Sequence, residues 1–145
     1  MVVANQSLAS LKIQPSSDAL GAYLTGTDLR QLRDVQFAQL RQTWLHQLVL
    51  VVRGQHFSDD ELMRFSVLDE VLPISLGQRP RDNKHVSVIS NVIEAGVPIG
   101  WLGDEEVFWH ADTSYRECPP SASVLYALEI PPSGGDVSFS NMFWP

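Results

Sequence analysis

Cysteine is almost missing from this chain. Cys118 is the single one, so no internal disulfide can form and packing alone must hold the fold. That usage fits a reducing compartment. Basic residues are scarce as well: 10 Lys and Arg stand against 17 Asp and Glu, a net charge of -7. Such a balance argues against a general nucleic-acid binder and matches an ordinary acidic protein. Long hydrophobic runs are absent. The most apolar stretch, Leu48 to Val52, is far shorter than the roughly 20 residues a membrane-spanning helix needs. The N-terminus, MVVANQSLASLKIQP, has no charged segment leading into an apolar one, so it is not a secretory signal. The expectation is a soluble, cytoplasmic protein with neither membrane nor nucleic acid as partner. There is also no Gly-x-Ser-x-Gly elbow for a serine hydrolase, no phosphate loop, no internal repeat and no dividing linker. The lone thiol, between Glu117 and Pro119, has no basic neighbour to activate it.

What remains is globular in composition, with 44% hydrophobic and 19% charged residues, and 145 residues suffice for one domain with a core. Residues 1 to 10 are small and polar and are expected to be loosely ordered. Leu11 to Gln14 suits a short strand. Phe37, Leu40, Trp44 and Leu48 recur at helical spacing and predict an amphipathic helix over 34–47. Leu48 to Val52 then reads as a buried strand. Ser58 stands three residues before Glu61, a capping-box pattern, and predicts a second helix from about Asp59 to Glu70. Leu76 to Lys84, rich in Gly, Pro and Arg, reads as a loop. From His85 the pattern turns to strands: the β-branched run 85–93, a turn over Ala95 to Gly103, and strands over Val107 to Ser114, Ser123 to Glu129 and from Val137 to Ser140. Helices first and strands later predict an α+β fold whose sheet packs on itself or closes into a barrel.

The chemistry concentrates at Trp109-His110-Ala111-Asp112. On a strand, residues two apart share a face, so His110 and Asp112 can aim an imidazole nitrogen and a carboxylate oxygen at one point. One nitrogen and one hard oxygen donor suit a divalent first-row metal such as iron(II), and a second histidine would complete a two-histidine, one-carboxylate triad with open positions. By itself the spacing also suits a strand histidine bonded to a nearby carboxylate. The other histidines have ordinary roles at hand. His46 sits near a helix end, His56 in a loop and His85 at the start of a strand. Asp104-Glu105-Glu106 reads as a solvated turn.

The wider segment GWLGDEEVFWHADTSYRECPPSASVLYALEIPPSGGDVSFSNM resembles the taurine dioxygenase family, which also includes phenoxyacetate dioxygenases. The pattern is Trp109, His110 and Asp112, then Tyr115, Pro119-Pro120, the run Leu125-Tyr126-Ala127, and Pro132 to Asp136. Upstream, Leu20-Gly21-Ala22, Leu50 to Gln55 and Val88-Ile89-Ser90-Asn91 are similar to the family too, so the likeness runs back to about residue 12.

The resemblance implies a single but incomplete dioxygenase domain over 1–145: part of a double-stranded β-helix (a cupin-like jelly roll), with the N-terminal helices packed on its sheet. It implies His110 and Asp112 as metal ligands, iron(II) as the metal, 2-oxoglutarate as cosubstrate and O2 as oxidant. The reaction implied is hydroxylation of a small organic acid, coupled to decarboxylation of 2-oxoglutarate to succinate and carbon dioxide. Trp109 would wall the site, Asn91 would lie on a bordering strand, and Asp136 would support a turn. Two departures stand out. Many members follow Gly-Gly-Asp with a threonine that contacts 2-oxoglutarate; here Val137 stands there and cannot donate a hydrogen bond. Family chains run about twice this length. The distal histidine ligand and the 2-oxoglutarate-binding arginine are expected in the other half, so the 145 residues alone are expected to turn over little. Unpaired strand edges of a half-barrel favour self-association into a homo-oligomer. The rival reading is a non-catalytic, cupin-like binding or scaffold domain. Substrate contacts sit on variable loops, so the substrate is not legible here.

Overall fold

A computed structural model describes residues 10–66, 86–100 and 108–143. These fall into two compact units: one is built from the described residues up to His56 together with those from Ile130 onward, the other from Phe57 to Glu129. The expectations for the first nine residues, the loop Leu76 to Lys84, the start of a strand at His85 and the turn at 104–106 lie outside the described residues.

The first unit is organised by a three-stranded sheet. Strand β1 (Lys12–Pro15) pairs antiparallel with β2 (Ala22–Thr25), and β2 pairs in parallel with β3 (Leu50–Val52). A parallel pair cannot be joined by a tight turn. Here the crossover is a 3₁₀ turn (Leu29–Gln31) followed by α1 (Asp34–Gln47), which makes β2-α1-β3 a βαβ unit. Helix α1 falls where the apolar spacing predicts it. Its Leu40 is buried, which contributes roughly 2 kcal/mol, whereas Val35 and Leu45 face solvent. The core of this unit is Leu11, Ala22, Leu24, Leu29 and Leu40, with Ala22 and Leu24 each 1% exposed. Gly21 is the joint. Its N–H donates to the Gln47 carbonyl at 2.7 Å, its φ is +93°, and a Cβ there would lie 2.3 Å from Ser16 Oγ. Only glycine fits that turn without displacing Ser16. From later in the chain, Asn141 Nδ2 donates to the Ala19 carbonyl at 2.7 Å.

The short β2 went unread in the sequence, and the run Leu48 to Val52 is less buried than predicted. β3 is an edge strand with Val51 exposed, because nothing pairs with its outer side among the described residues.

In the second unit, α2 (Asp59–Ser66) opens on the predicted capping box. Glu61 Oε2 accepts from the Ser58 backbone N–H at 2.8 Å and from Ser58 Oγ at 2.9 Å, while Ser58 Oγ accepts from the Glu61 N–H at 3.3 Å. The predicted continuation beyond Ser66 lies outside the described residues. The box satisfies backbone donors that the first turn of a helix leaves without an intrahelical partner. Ser58→Ala is therefore expected to cost about 1 kcal/mol, with Ser58→Asp retaining most of it, read as a shift in the urea unfolding midpoint followed by circular dichroism. The Phe57 ring meets Phe65 of α2 at 6.0 Å and the Tyr126 ring edge-on at 5.6 Å, and the Phe57 N–H donates to Tyr126 Oη at 3.1 Å. The expected turn after residue 94 is present as a hairpin, β4 (Ile93–Glu94) with β5 (Val97–Pro98), whose turn residues Ala95 and Gly96 both have positive φ.

Four strand expectations are corrected. Val86 to Asn91, the described part of Val107 to Ser114, Ser123 to Glu129 and Val137 to Ser140 are not strands. Each has strand-forming residues, but a strand exists only with a hydrogen-bonded neighbour, and the described residues supply none to these segments. The fold is α+β as read. A jelly roll is not formed by the described residues, whose sheets are one of three strands and one of two. No helix among the described residues is long and apolar enough to cross a membrane.

Candidate metal centre

The segment around His110 bends where a strand was expected. Residues 112–115 form a turn in which the Arg116 N–H donates to the Thr113 carbonyl at 3.0 Å. Thr113 has a φ of +47°, a left-handed conformation that a β-branched residue adopts at a cost of order 1–3 kcal/mol. Its Oγ1 is buried and has no hydrogen-bond partner among the described residues. Backbone strain of this kind clusters at functional sites.

Just ahead of this turn and at its first residue the two candidate ligands converge. His110 Nε2 and Asp112 Oδ1 lie 3.1 Å apart. On the other side of the ring, Nδ1 is 2.8 Å from the Phe108 carbonyl oxygen. A carbonyl only accepts, so Nδ1 must carry a proton and donate it. In the neutral ring Nε2 is then a bare lone pair pointing at a carboxylate oxygen. Two acceptors at that distance need a cation between or beside them: a proton on Nε2, or a metal ion. The Phe108 carbonyl, and after it the nearby Asp112 carboxylate, both favour the protonated ring and raise the His110 pKa above its usual 6.5. Both side chains are more than half exposed, so this pair contributes little to stability. Asp112 Oδ2, the other carboxylate oxygen, accepts a hydrogen bond from Ser123 Oγ.

The donor set fits a divalent first-row ion. The 3.1 Å between His110 Nε2 and Asp112 Oδ1 is short enough for both to hold one ion, toward which the Nε2 lone pair would turn from the carboxylate oxygen. The remote ring nitrogen is tied to the Phe108 carbonyl, which fixes the tautomer. Among the described residues no group of three or more His, Cys, Asp or Glu side chains could hold a metal.

The other predicted residues are more scattered. Trp109 is next to His110 in the chain but 72% exposed. Asn91 is exposed, just ahead of β4, and no hydrogen bond among the described residues links it to His110 or Asp112. Val137 is in the first unit and exposed, as are His46 and His56. Cys118 is exposed and free. Sequence reasoning missed Ser123, which it placed only at the start of a strand. Nothing in an 11-residue separation from Asp112 marks it.

A family model described as taurine catabolism dioxygenase TauD, TfdA family matches residues 12–143. This chain belongs to the TauD/TfdA family. Among the curated proteins it resembles is an (S)-phenoxypropionate/alpha-ketoglutarate-dioxygenase from Delftia acidovorans, 30% identical over 92% of this chain and 47% of the relative. A pentalenolactone F synthase from Streptomyces avermitilis is 34% identical over 86% of this chain and 43% of the relative. An alpha-ketoglutarate-dependent 2,4-dichlorophenoxyacetate dioxygenase from Cupriavidus pinatubonensis is 29% identical over 92% of this chain and 50% of the relative. The chain thus spans about half the length of the curated relatives it matches.

Proposed function

We propose that His110 and Asp112 are two ligands of an iron(II) site, in a dioxygenase domain that hydroxylates a small organic acid at the expense of 2-oxoglutarate and O2. One observation carries the reading: a ring nitrogen that must be deprotonated in the neutral tautomer faces a carboxylate oxygen at 3.1 Å. Family membership supports it, as do relatives named for dioxygenases of phenoxypropionate, sulfonate and sulfate-ester substrates. When bound, iron supplies the activation of O2 that couples decarboxylation of 2-oxoglutarate to oxidation of the substrate.

The protein's own residues do the rest. His110, held by the Phe108 carbonyl, presents Nε2 in one tautomer. Asp112 presents Oδ1 beside it and brings the negative charge that a divalent ion requires. The same reading gives Trp109 and Asn91 places around the pocket, and Val137, where many members carry a threonine, offers 2-oxoglutarate no hydrogen bond. It makes 1–145 part of one cupin-like domain with a jelly-roll sheet, acting on a small molecule in the cytoplasm, and it leaves room for homo-oligomers through unpaired strand edges.

The test is anaerobic. Iron(II) and 2-oxoglutarate, at millimolar concentration, are added to the chain. The proposal expects a weak visible absorption band that requires both additions and disappears in His110→Ala. A band as strong in His110→Ala as in the wild-type chain contradicts it, and iron(II) binding that does not respond to 2-oxoglutarate would favour the non-catalytic binding or scaffold domain, a reading that Val137 suits.

A further inference from the structure

The geometry points to Ser123 as a positioning residue for the metal centre: its hydroxyl holds one oxygen of Asp112 so that the other is presented beside His110. This rests on the reading of His110 and Asp112 as ligands and adds to it a residue outside the His-x-Asp motif.

A carboxylate on an exposed turn can rotate about its last bond and exchange its two oxygens. It can also bind an ion through one oxygen or both. Here the exchange is blocked. Ser123 Oγ donates to Asp112 Oδ2, and Oδ1 is left 3.1 Å from His110 Nε2. A serine hydroxyl has one proton to give, and giving it to Oδ2 marks that oxygen as the one turned away from the ion. A hydrogen bond to an ionised acceptor is also stronger than a neutral one. Ser123 thus does for the carboxylate what the Phe108 carbonyl does for the imidazole: each ligand has one atom tied to an outer partner and its other atom facing its fellow ligand.

Ser123 can do this because its own segment is anchored. Three residues on, Tyr126 takes the Phe57 N–H on its hydroxyl at 3.1 Å and packs edge-on against the Phe57 ring. Phe57 in turn packs against Phe65 of α2. The serine is therefore carried by a backbone with its own apolar footing, not by the metal turn it serves. It is exposed, so its hydroxyl is not needed to fill a core.

Cobalt(II), a coloured stand-in for iron(II), provides the test on the full 145-residue chain. Its visible absorption is titrated in the wild type, His110→Ala, Ser123→Ala, Ser123→Thr and Ser123→Val. Outer partners of metal ligands are worth about 10- to 100-fold in affinity. Ser123→Ala is expected to weaken cobalt binding about tenfold. Threonine and valine have nearly the same shape, and only threonine keeps the hydroxyl. Threonine is expected to restore affinity to within about twofold and valine to lose it about tenfold, which separates a hydrogen-bonding role from a packing role even if alanine disturbs the fold. If Ser123→Val binds cobalt as tightly as Ser123→Thr, Ser123 positions nothing and the ligand reading stands without it. If His110→Ala titrates like the wild type, the ligand reading itself is wrong and the role of Ser123 goes with it.

Discussion

Replacing His110 with alanine is expected to lower the affinity of this chain for iron(II) or cobalt(II) by on the order of a hundredfold or more. Only one nitrogen and one carboxylate oxygen converge here among the described residues, so removing either leaves a single protein ligand. Asp112→Asn should act in the same direction, since it keeps the shape and removes the charge that attracts the ion. The proton is the metal's natural competitor at Nε2. The His110 pKa is raised, first by the Phe108 carbonyl that accepts from the ring and then by Asp112. Below that raised value each pH unit of acidification should weaken metal binding about tenfold, because one proton must leave for each ion that binds. The decline should therefore begin above the pH at which an unperturbed histidine, near 6.5, would start it. Equal affinities for wild type and His110→Ala, or an affinity independent of pH between 5.5 and 8.5 (about two units across the histidine range), would count against the site.

The largest expected effect on stability is at Leu24. It is 1% exposed in the central strand β2, where it joins Leu11, Ala22, Leu29 and Leu40 in the core of the first unit. Cutting it to alanine removes three carbons, two of them methyls, from a site that neighbours on both sides fix in place, and such changes cost about 2–5 kcal/mol. With a urea slope of roughly 1–3 kcal/mol per molar, the unfolding midpoint should fall by about 1–2 M. Leu45→Ala is the matched control. Leu45 lies on α1 but is half exposed, so its loss should stay within about 0.5 kcal/mol. Equal midpoints for Leu24→Ala and Leu45→Ala would mean that the β2-centred core is not what holds this unit together.

Local signals in the sequence survived and non-local ones did not. Phe37, Leu40 and Trp44 of α1 and the Ser58–Glu61 pair of α2 act within one or two helical turns and lie where the spacing puts them, whereas Leu48, the fourth periodic residue, caps the helix with a positive φ. β2 is four residues long, and its identity depends on Leu50–Val52, which reach it only after a crossover helix. No window on Ala22–Thr25 contains that partner. The reverse error arises from the same cause. Runs such as 123–129 have the residues of strands but no ladder partner among the described residues. At the site, the two-residue spacing of His110 and Asp112 predicts convergence, and the side chains do converge. They do so without a paired strand, on residues just ahead of and opening the turn over 112–115. Ser123 was illegible because it meets Asp112 through a chain reversal that no spacing rule encodes.

Nitrogen-15 spectra of the imidazole rings, recorded while diamagnetic zinc(II) is added, address the pair at its centre. Before addition the neutral His110 ring should be protonated at Nδ1 and bare at Nε2, as its bond to the Phe108 carbonyl requires. On addition, the Nε2 resonance alone should move, and in Asp112→Ala it should move only at much higher zinc. A ring protonated at Nε2 in its neutral form, or an Nε2 signal that zinc leaves in place, would contradict a shared ion between residues 110 and 112.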